Sequence, residues 1–425
     1  MKDKNFVIIL IGQIISLFGN AIQRFSMSLY LLDFTGSTKS FANILAISTI
    51  PYVLFAPISG KLSDNVNKKK IMVYLDLFCG ILIGGYSLIL FLNKDSTYIV
   101  GFVMVMLSIC YTLYGPAVTA SIPQIVKEDE LTTANGIINQ VGSVVNFAGP
   151  IIAGIVYGIF GIRVIVVVNA ISFIFSAILE MFLDISDVKE EKNLNKVNKN
   201  EYKKHKEKIF SIQFIKESFV DMYNTFKYLA KEKKVILYII LSYALCNIFL
   251  VPILSIIAPY FINVYLNLPS QVYGIVEAVC VLGMLAGGLI ISVKPELFSI
   301  KKIHYTYIPM ISGVILMIFL PQLQVTRLKI ASLFAIGGLL IMLTIAITNV
   351  LTLTYIQKQV PENLLGKVSA FSVAVATVSV APGQLLYGQI IDLGIPLSLI
   401  FLLTAIANVL LIAYIKITVS NAKVQ

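Results

Sequence analysis

The stretch Gly60-Lys61-Leu62-Ser63-Asp64-Asn65-Val66-Asn67-Lys68-Lys69-Lys70 lies between two long apolar runs, and its reading decides the fold. A glycine, an acid four residues later and three consecutive lysines are poorly suited to a buried loop. Flanked by hydrophobic segments, they belong at a membrane surface, and the lysine cluster marks that surface as the cytoplasmic one.

The composition on either side agrees. Of the 425 residues 58% are hydrophobic and 13% charged, with a mean hydropathy of +0.88, whereas a water-soluble domain is charged at about a quarter of its positions. A helical span needs about 20 mainly apolar residues to cross roughly 30 Å of hydrocarbon. Twelve windows meet that need, near 6–32, 41–63, 71–92, 98–121, 136–160, 163–183, 235–264, 272–294, 305–323, 328–355, 366–391 and 396–417. A membrane β-barrel would alternate apolar and polar residues in segments of roughly ten. These runs are continuously apolar, so the expected fold is an all-α membrane protein of 12 transmembrane helices. Met1-Lys2-Asp3-Lys4 ahead of an apolar run looks like a signal peptide, but the run is too long and no small-residue cleavage site follows, so it is read as the first span.

The four cysteines, Cys79, Cys110, Cys246 and Cys280, all fall inside apolar spans without paired spacing. That argues against a disulfide framework or a metal site and for buried thiols. The net charge of +11 could suggest nucleic acid, but its distribution argues otherwise. With a cytoplasmic N-terminus, the even-numbered connections and both tails carry 27 of the 33 Lys and Arg, the opposite side carries five, and Arg24 lies within a span. The positive-inside rule therefore places both termini in the cytoplasm. Thirty of the 33 are Lys, and with abundant Ile and Asn this is the usage of an AT-rich bacterial genome, so a bacterial plasma membrane is expected.

One long polar stretch, 184–234, separates six spans (1–183) from six more (235–425). Asp184–Lys208 has too few apolar residues to pack and is expected to be flexible. From Phe210 the positions Phe214, Phe219, Tyr223, Phe226 and Leu229 recur at roughly helical spacing, which predicts an amphipathic helix over 211–232 along the cytoplasmic face. The halves also look like copies: Glu130 to Gly136 leading to Gly149-Pro150 has a counterpart in Glu362 to Gly366 leading to Ala381-Pro382. Repeated halves with a site between them near the midplane are a mark of secondary transporters.

These residues resemble the major facilitator superfamily across essentially the whole chain. Its signature between spans two and three is matched by Gly60, Leu62, Asp64, Lys68 and Lys69, with departures at Asn65, where the pattern has Arg, and Asn67, where it has Gly. The run Asp64 to Met72 is similar to the macrolide-efflux branch, as are Pro116, Pro123, Ala134-Asn135 and Asn169 to Phe173. The resemblance implies two pseudo-symmetric six-helix halves and a gating role for the loop, with Asp64 latching one state. The neutral Asn65 puts a full charge relay in doubt, and the lysines serve topology, gating or both. In span five, Gly142, Gly149, Pro150, Gly154 and Gly158 are similar to the drug/proton exporter pattern, with Ala153 in place of one glycine. Close packing around small residues and a proline bend explains the same residues.

Ionisable groups inside spans are costly and by default functional. Arg24, Asp76 and Glu277 qualify, whereas Glu180, Asp184 and Asp392 sit near span ends where water is in reach. Gln13, Ser16, Asn20, Arg24 and Met27 follow at steps of three and four and make one stripe, which faces either a central cavity or another helix. Desolvation favours the neutral form of a carboxylic acid, which suits Glu277 as a proton-coupling group with Arg24 as its partner. A fixed Arg24–Glu277 pair and a carboxylate that attracts a cationic substrate are the alternatives. For Asp76, near the lysine cluster, a structural ion pair is expected. Tyr111, Tyr114, Asn139, Ser143, Asn146, Asn247 and Thr348 complete the candidate substrate cavity with Gln13 and Asn20; each could instead bond helix to helix.

There is no P-loop, zinc spacing or nucleophile-base constellation, and the two histidines, His205 and His304, fall near cytoplasmic loops. Enzymatic chemistry has no seat, and neither cofactor nor metal is expected. The expectation is a monomeric secondary transporter whose partners are a small molecule, protons and the bilayer, with no nucleic acid. Its leading form is proton-coupled efflux of an amphipathic, macrolide-like compound by alternating access. Siderophore, lysophospholipid or other solute transport stays open, as does a non-transporting membrane sensor or immunity protein of the same fold.

Overall fold

The computed structural model describes residues 4–127, 131–185, 212–294, 297–298 and 300–420. Among them the chain is helical almost throughout, and ten segments are long and apolar enough to cross a membrane. The helix Thr38–Asn65 adds another, and Leu131–Glu180 contains two, because it breaks at Gly161 with φ 67° and ψ −176°. That backbone conformation is essentially restricted to glycine, so a single residue turns one apolar run of 50 residues into spans five and six. The chain is an all-α membrane protein of twelve spans.

The turn between spans two and three is shorter than its polar composition suggests. Span two continues through Asn65, and only Val66 and Asn67 separate it from span three, Lys68–Phe91. Asn67 caps the new helix: its side-chain oxygen accepts from the Lys70 amide at 3.3 Å, satisfying one of the free first-turn donors. The departure from glycine at this position thus has a local use. Lys68, Lys69 and Lys70 occupy a first turn that the helix dipole makes unfavourable for cations, so their placement serves something other than helix stability.

Proline and small residues shape the other spans. Span seven begins as Lys234–Pro252 and continues through two wide π-helical turns, Ile253–Ile257 and Tyr260–Tyr265, at Pro252 and Pro259. Such turns absorb the hydrogen bond that each proline removes. Spans eight, Ser270–Val293, and ten, Arg327–Gln359, approach backbone to backbone: a Cβ on Gly283 would strike the Leu339 carbonyl, and one on Gly287 would lie 2.5 Å from the Leu343 oxygen. Small residues at this spacing let membrane helices close up. Span eleven is Glu362–Val378 and Val380–Asp392, interrupted at Ser379, and span twelve is Leu397–Ile415.

The chain forms two compact units. The first comprises Met1–Leu31 and Ile47–Phe219. Its core at one end of the spans is built from Phe6, Ile9, Met72, Tyr114, Ile122, Leu183 and Ile185. The second comprises Leu32–Ala46 and Val220–Gln425, so the turn between spans one and two groups with the later spans. There, Ser37 Oγ donates to Asp392 Oδ2 at 2.7 Å. The second unit also holds the amphipathic helix, Ile212–Glu232, from Val220 onward. Leu229 is fully buried against Ile236, Ile356 and Phe371, Asp221 pairs with Lys367 at 2.9 Å, and Val220, Tyr223 and Phe226 are exposed. Most of the Lys/Asn-rich linker, 186–211, lies outside the described residues.

Candidate functional site

The densest polar cluster lies inside the first unit, and four spans build it. Span one, Lys4–Thr35, brings Gly12 and Ser16 one turn apart; span three brings Asp76; span four, Thr97–Ile125, brings Tyr114; span six brings Ser176 and Glu180, again one turn apart. All the side chains are buried, Glu180 with 1% exposure and Asp76 with 3%. Ser16 Oγ lies 2.7 Å from Asp76 Oδ2 and 3.1 Å from Ser176 Oγ, and Ser176 Oγ donates to the Gly12 carbonyl at 3.3 Å. Tyr114 donates its hydroxyl proton to Glu180 Oε1 at 2.6 Å, and Glu180 Oε2 is buried without a partner.

A cavity of about 30 Å³ opens beside this cluster, lined among others by Ser16, Asn20, Asp76, Tyr111 and Tyr114. That is room for a water or two. It is far below the hundreds of cubic ångströms of a small-molecule pocket. A second buried pair extends the polar seam of span one: Asn169 Nδ2 donates to Gln23 Oε1 at 3.0 Å.

Three expectations meet different surroundings here. Glu180, set aside because it ends its span, is sealed: the residues after the helix turn inward, and Leu183 and Ile185 join the apolar cluster that includes Tyr114. Asp76 has hydroxyl groups of spans one and six as its described contacts in place of the expected cation. Tyr114, expected to line a substrate cavity, is turned into the unit and held by Glu180. The stripe on span one also divides, for Ser16 and Met27 are buried, Gln13 and Asn20 are half-buried, and Arg24 is exposed.

Arg24 lies within electrostatic reach of Tyr111, which is 39% exposed and meets Tyr52 edge to face at 5.9 Å between centroids. This is an accessible patch of one cation and two aromatic rings. Glu277 is half-buried on span eight, one turn before Cys280, within the second unit. Asn247 Nδ2 donates to the Ala376 carbonyl of span eleven at 3.0 Å, and Thr348 Oγ1 donates to the Thr344 carbonyl of its own helix at 2.7 Å. Asn247 makes the helix-to-helix bond that was the alternative to a cavity role, whereas Thr348 bonds within its own helix.

In span five Gly149 is buried, with a Cβ position 3.1 Å from Ala21 Cβ of span one, Pro150 and Gly154 are buried, and Gly142 is half-buried beside open space. Lys68 is buried and Lys69 half-buried at the start of span three. Gly60, Asp64, Asn139, Ser143 and Asn146 lie on helices, and the surroundings of Gly60 and of the other four side chains are outside what is described. The sequence reading missed Ser176 and set Glu180 aside, although their spacing of four, matching that of Gly12 and Ser16, is a signal that both pairs face one seam.

Twelve membrane spans with costly polar groups kept inside define a secondary transporter. The chain belongs to the Major Facilitator Superfamily, whose family model matches residues 9–384. It is similar to macrolide efflux protein A of Streptococcus pyogenes, 27% identical over 173 residues, which cover 41% of this chain and 43% of that protein. The matched part is therefore less than half of the relative's length. Among solved structures it is similar to the nucleoside transporter NupG, with a TM-score of 0.73 at 14% identity over 98% of this chain and 99% of that one. It is also similar to a bacterial homologue of the iron transporter ferroportin in an inward-facing state, with a TM-score of 0.70 at 16% identity over 98% and 99%. At these identities the structural likeness establishes the fold.

Proposed function

We propose that this chain is a proton-coupled antiporter that exports an amphipathic small molecule of the macrolide class by alternating access, with both termini in the cytoplasm. The observation that carries the proposal is the similarity to a protein named for macrolide efflux. The exposed Arg24 and Tyr111 with the half-buried Tyr52 on the first unit support it, since aromatic faces beside a polar group suit a large, partly apolar ligand. In this reading Glu277 and Arg24 serve proton coupling, Glu277 by taking and releasing the proton, and Asp64 with Gly60, Lys68 and Lys69 gates the cycle. Gln13, Asn20, Asn139, Ser143 and Asn146 contribute polar contacts to substrate. Export of such a drug confers antibiotic resistance on the cell.

The test is a drug-susceptibility panel, with intracellular accumulation of radiolabelled erythromycin, in a bacterial host stripped of its own efflux pumps. The expected result is lower accumulation and higher tolerance of macrolides with the wild type, both lost with Glu277→Gln. Unchanged accumulation of every compound in the panel would speak for a non-transporting role of the fold.

A further inference from the structure

We infer that Asp76 and Glu180 form a proton-holding pair sealed within the first unit, with Ser16 and Ser176 as a reversible hydroxyl chain and Tyr114 as the fixed partner of Glu180. The pair is a second ionisable station, separate from Glu277. Its role in transport rests on the proton-coupled reading above; its occupancy by a proton does not.

Counting hydrogens carries the inference. A carbonyl oxygen only accepts, so the contact from Ser176 Oγ to the Gly12 oxygen uses the single hydroxyl proton of Ser176. The 3.1 Å contact between the two serines must then use the proton of Ser16. Ser16 has no second proton for Asp76, yet its oxygen lies 2.7 Å from Asp76 Oδ2. With each hydroxyl proton given to a single acceptor, these three contacts are made together when the Asp76 carboxyl carries the proton and donates it to Ser16. When the proton leaves, Ser16 and Ser176, both of which face Asp76, turn their hydroxyl protons toward it, and the Gly12 contact is released. No bond between heavy atoms changes; one proton enters or leaves Asp76 and two hydroxyls reorient.

Glu180 points the same way from independent geometry. Glu180 is 1% exposed, one oxygen is held by Tyr114, and the other has no hydrogen-bond partner among the described residues. A buried carboxylate with an unsatisfied oxygen is far more costly than the neutral acid. Asp76 and Glu180 are close enough to interact electrostatically, and two such carboxylates in low dielectric do not both ionise. The groups facing the pair are Tyr114 and Cys110 from span four and Cys79 on Asp76's own span. Lys68 is two turns along that span, and Arg24 on span one acts on Tyr111. Among the described residues, the groups acting on the two acids are hydroxyls and the acids themselves, with no Lys or Arg. Asp76, Ser16, Tyr114 and the part-exposed Tyr111 line one cavity with room for a water or two beside the pair.

The experiment is an infrared pH titration of the protein in lipid nanodiscs, following the carbonyl stretch of protonated carboxyls in the wild type, Asp76→Asn, Glu180→Gln and Ser16→Ala. The inference expects a protonated-carboxyl band at neutral pH that fades on alkalinisation, weakened in the Asn and Gln variants and shifted in frequency by Ser16→Ala. A band of wild-type strength in both carboxyl variants overturns it, as does a band removed at fixed pH by added sodium, which would mark a metal-cation site. Should Glu180→Gln fail to fold, Tyr114→Phe must shift the same band. In proteoliposomes with radiolabelled erythromycin, Glu180→Gln should lower gradient-driven flux by about tenfold or more while leaving counterflow exchange in place. If the wild type moves no erythromycin, the export reading fails and the band still decides the pair. If it moves erythromycin in a protonophore-sensitive way without the band, the pair fails alone.

Discussion

Tyr114→Phe removes one atom from the buried cluster, and its cost reports the charge of the partner. The hydroxyl donates to Glu180 Oε1 at 2.6 Å in a region where the other carboxyl oxygen is already without a partner. If Glu180 is a neutral acid, the lost bond is worth about 1 kcal/mol, and double-mutant cycles on membrane-helix hydrogen bonds average about 0.6 kcal/mol. If Glu180 is ionised, the bond alone is worth roughly 1.5–3 kcal/mol and a buried charge is left with no donor, so the total should exceed about 3 kcal/mol. The assay is a double-mutant cycle of Tyr114→Phe with Glu180→Gln, read by denaturant unfolding in mixed micelles at neutral pH. The amide of Gln keeps an acceptor for Tyr114 and cannot ionise. A coupling energy of about 1 kcal/mol or less agrees with a neutral Glu180. A coupling of about 3 kcal/mol or more, collapsing on acidification, would refute the reasoning and mark a fixed charge.

Glu277→Gln should insert and fold normally but lose proton-driven export, because the amide keeps volume and hydrogen bonding without titrating; wild-type flux in a pH gradient would remove Glu277 from the coupling step. Asp64→Asn should slow the cycle while leaving substrate affinity close to wild type, measured as binding beside transport in the same membranes, and lost binding with normal cycling would contradict the latch. Gly287→Ala should destabilise the second unit by about 1–3 kcal/mol through overpacking against span ten. Gly288→Ala, where no neighbouring atom lies within 4 Å of the new methyl, should be neutral or stabilising by up to about 1 kcal/mol through helix propensity. A thermal unfolding comparison that ranks the two alike would show that the Gly287 contact relaxes without cost.

The fold was legible because the bilayer imposes few solutions. Apolar runs gave the twelve spans, and the break between 160 and 163 falls where Gly161 leaves helical geometry. The loop between spans two and three was less legible, since its polarity hides that Asn65 still ends one helix while Asn67 caps the next. The interior of the first unit was legible in part. Asp76 stood out as an acid within a span, but its hydroxyl partners are 60 and 100 residues distant in sequence and no local pattern pairs them. Glu180 shows that a span end in sequence need not be a wet end: it is 1% exposed, and Leu183 and Ile185 just beyond it are buried in the apolar cluster that includes Tyr114. For Tyr114 the sequence leaves a cavity role and a helix-to-helix bond open, and it is the buried carboxyl of Glu180 on span six that takes its hydroxyl.

Flux measured in proteoliposomes tests the central claim most directly. Purified wild-type protein, reconstituted with an imposed pH gradient, should move radiolabelled erythromycin against its own concentration gradient and acidify or alkalinise the lumen in step, both stopping when a protonophore is added. Erythromycin movement that persists at full rate with the gradient collapsed, or no protein-dependent movement at all, would contradict a proton-coupled macrolide exporter.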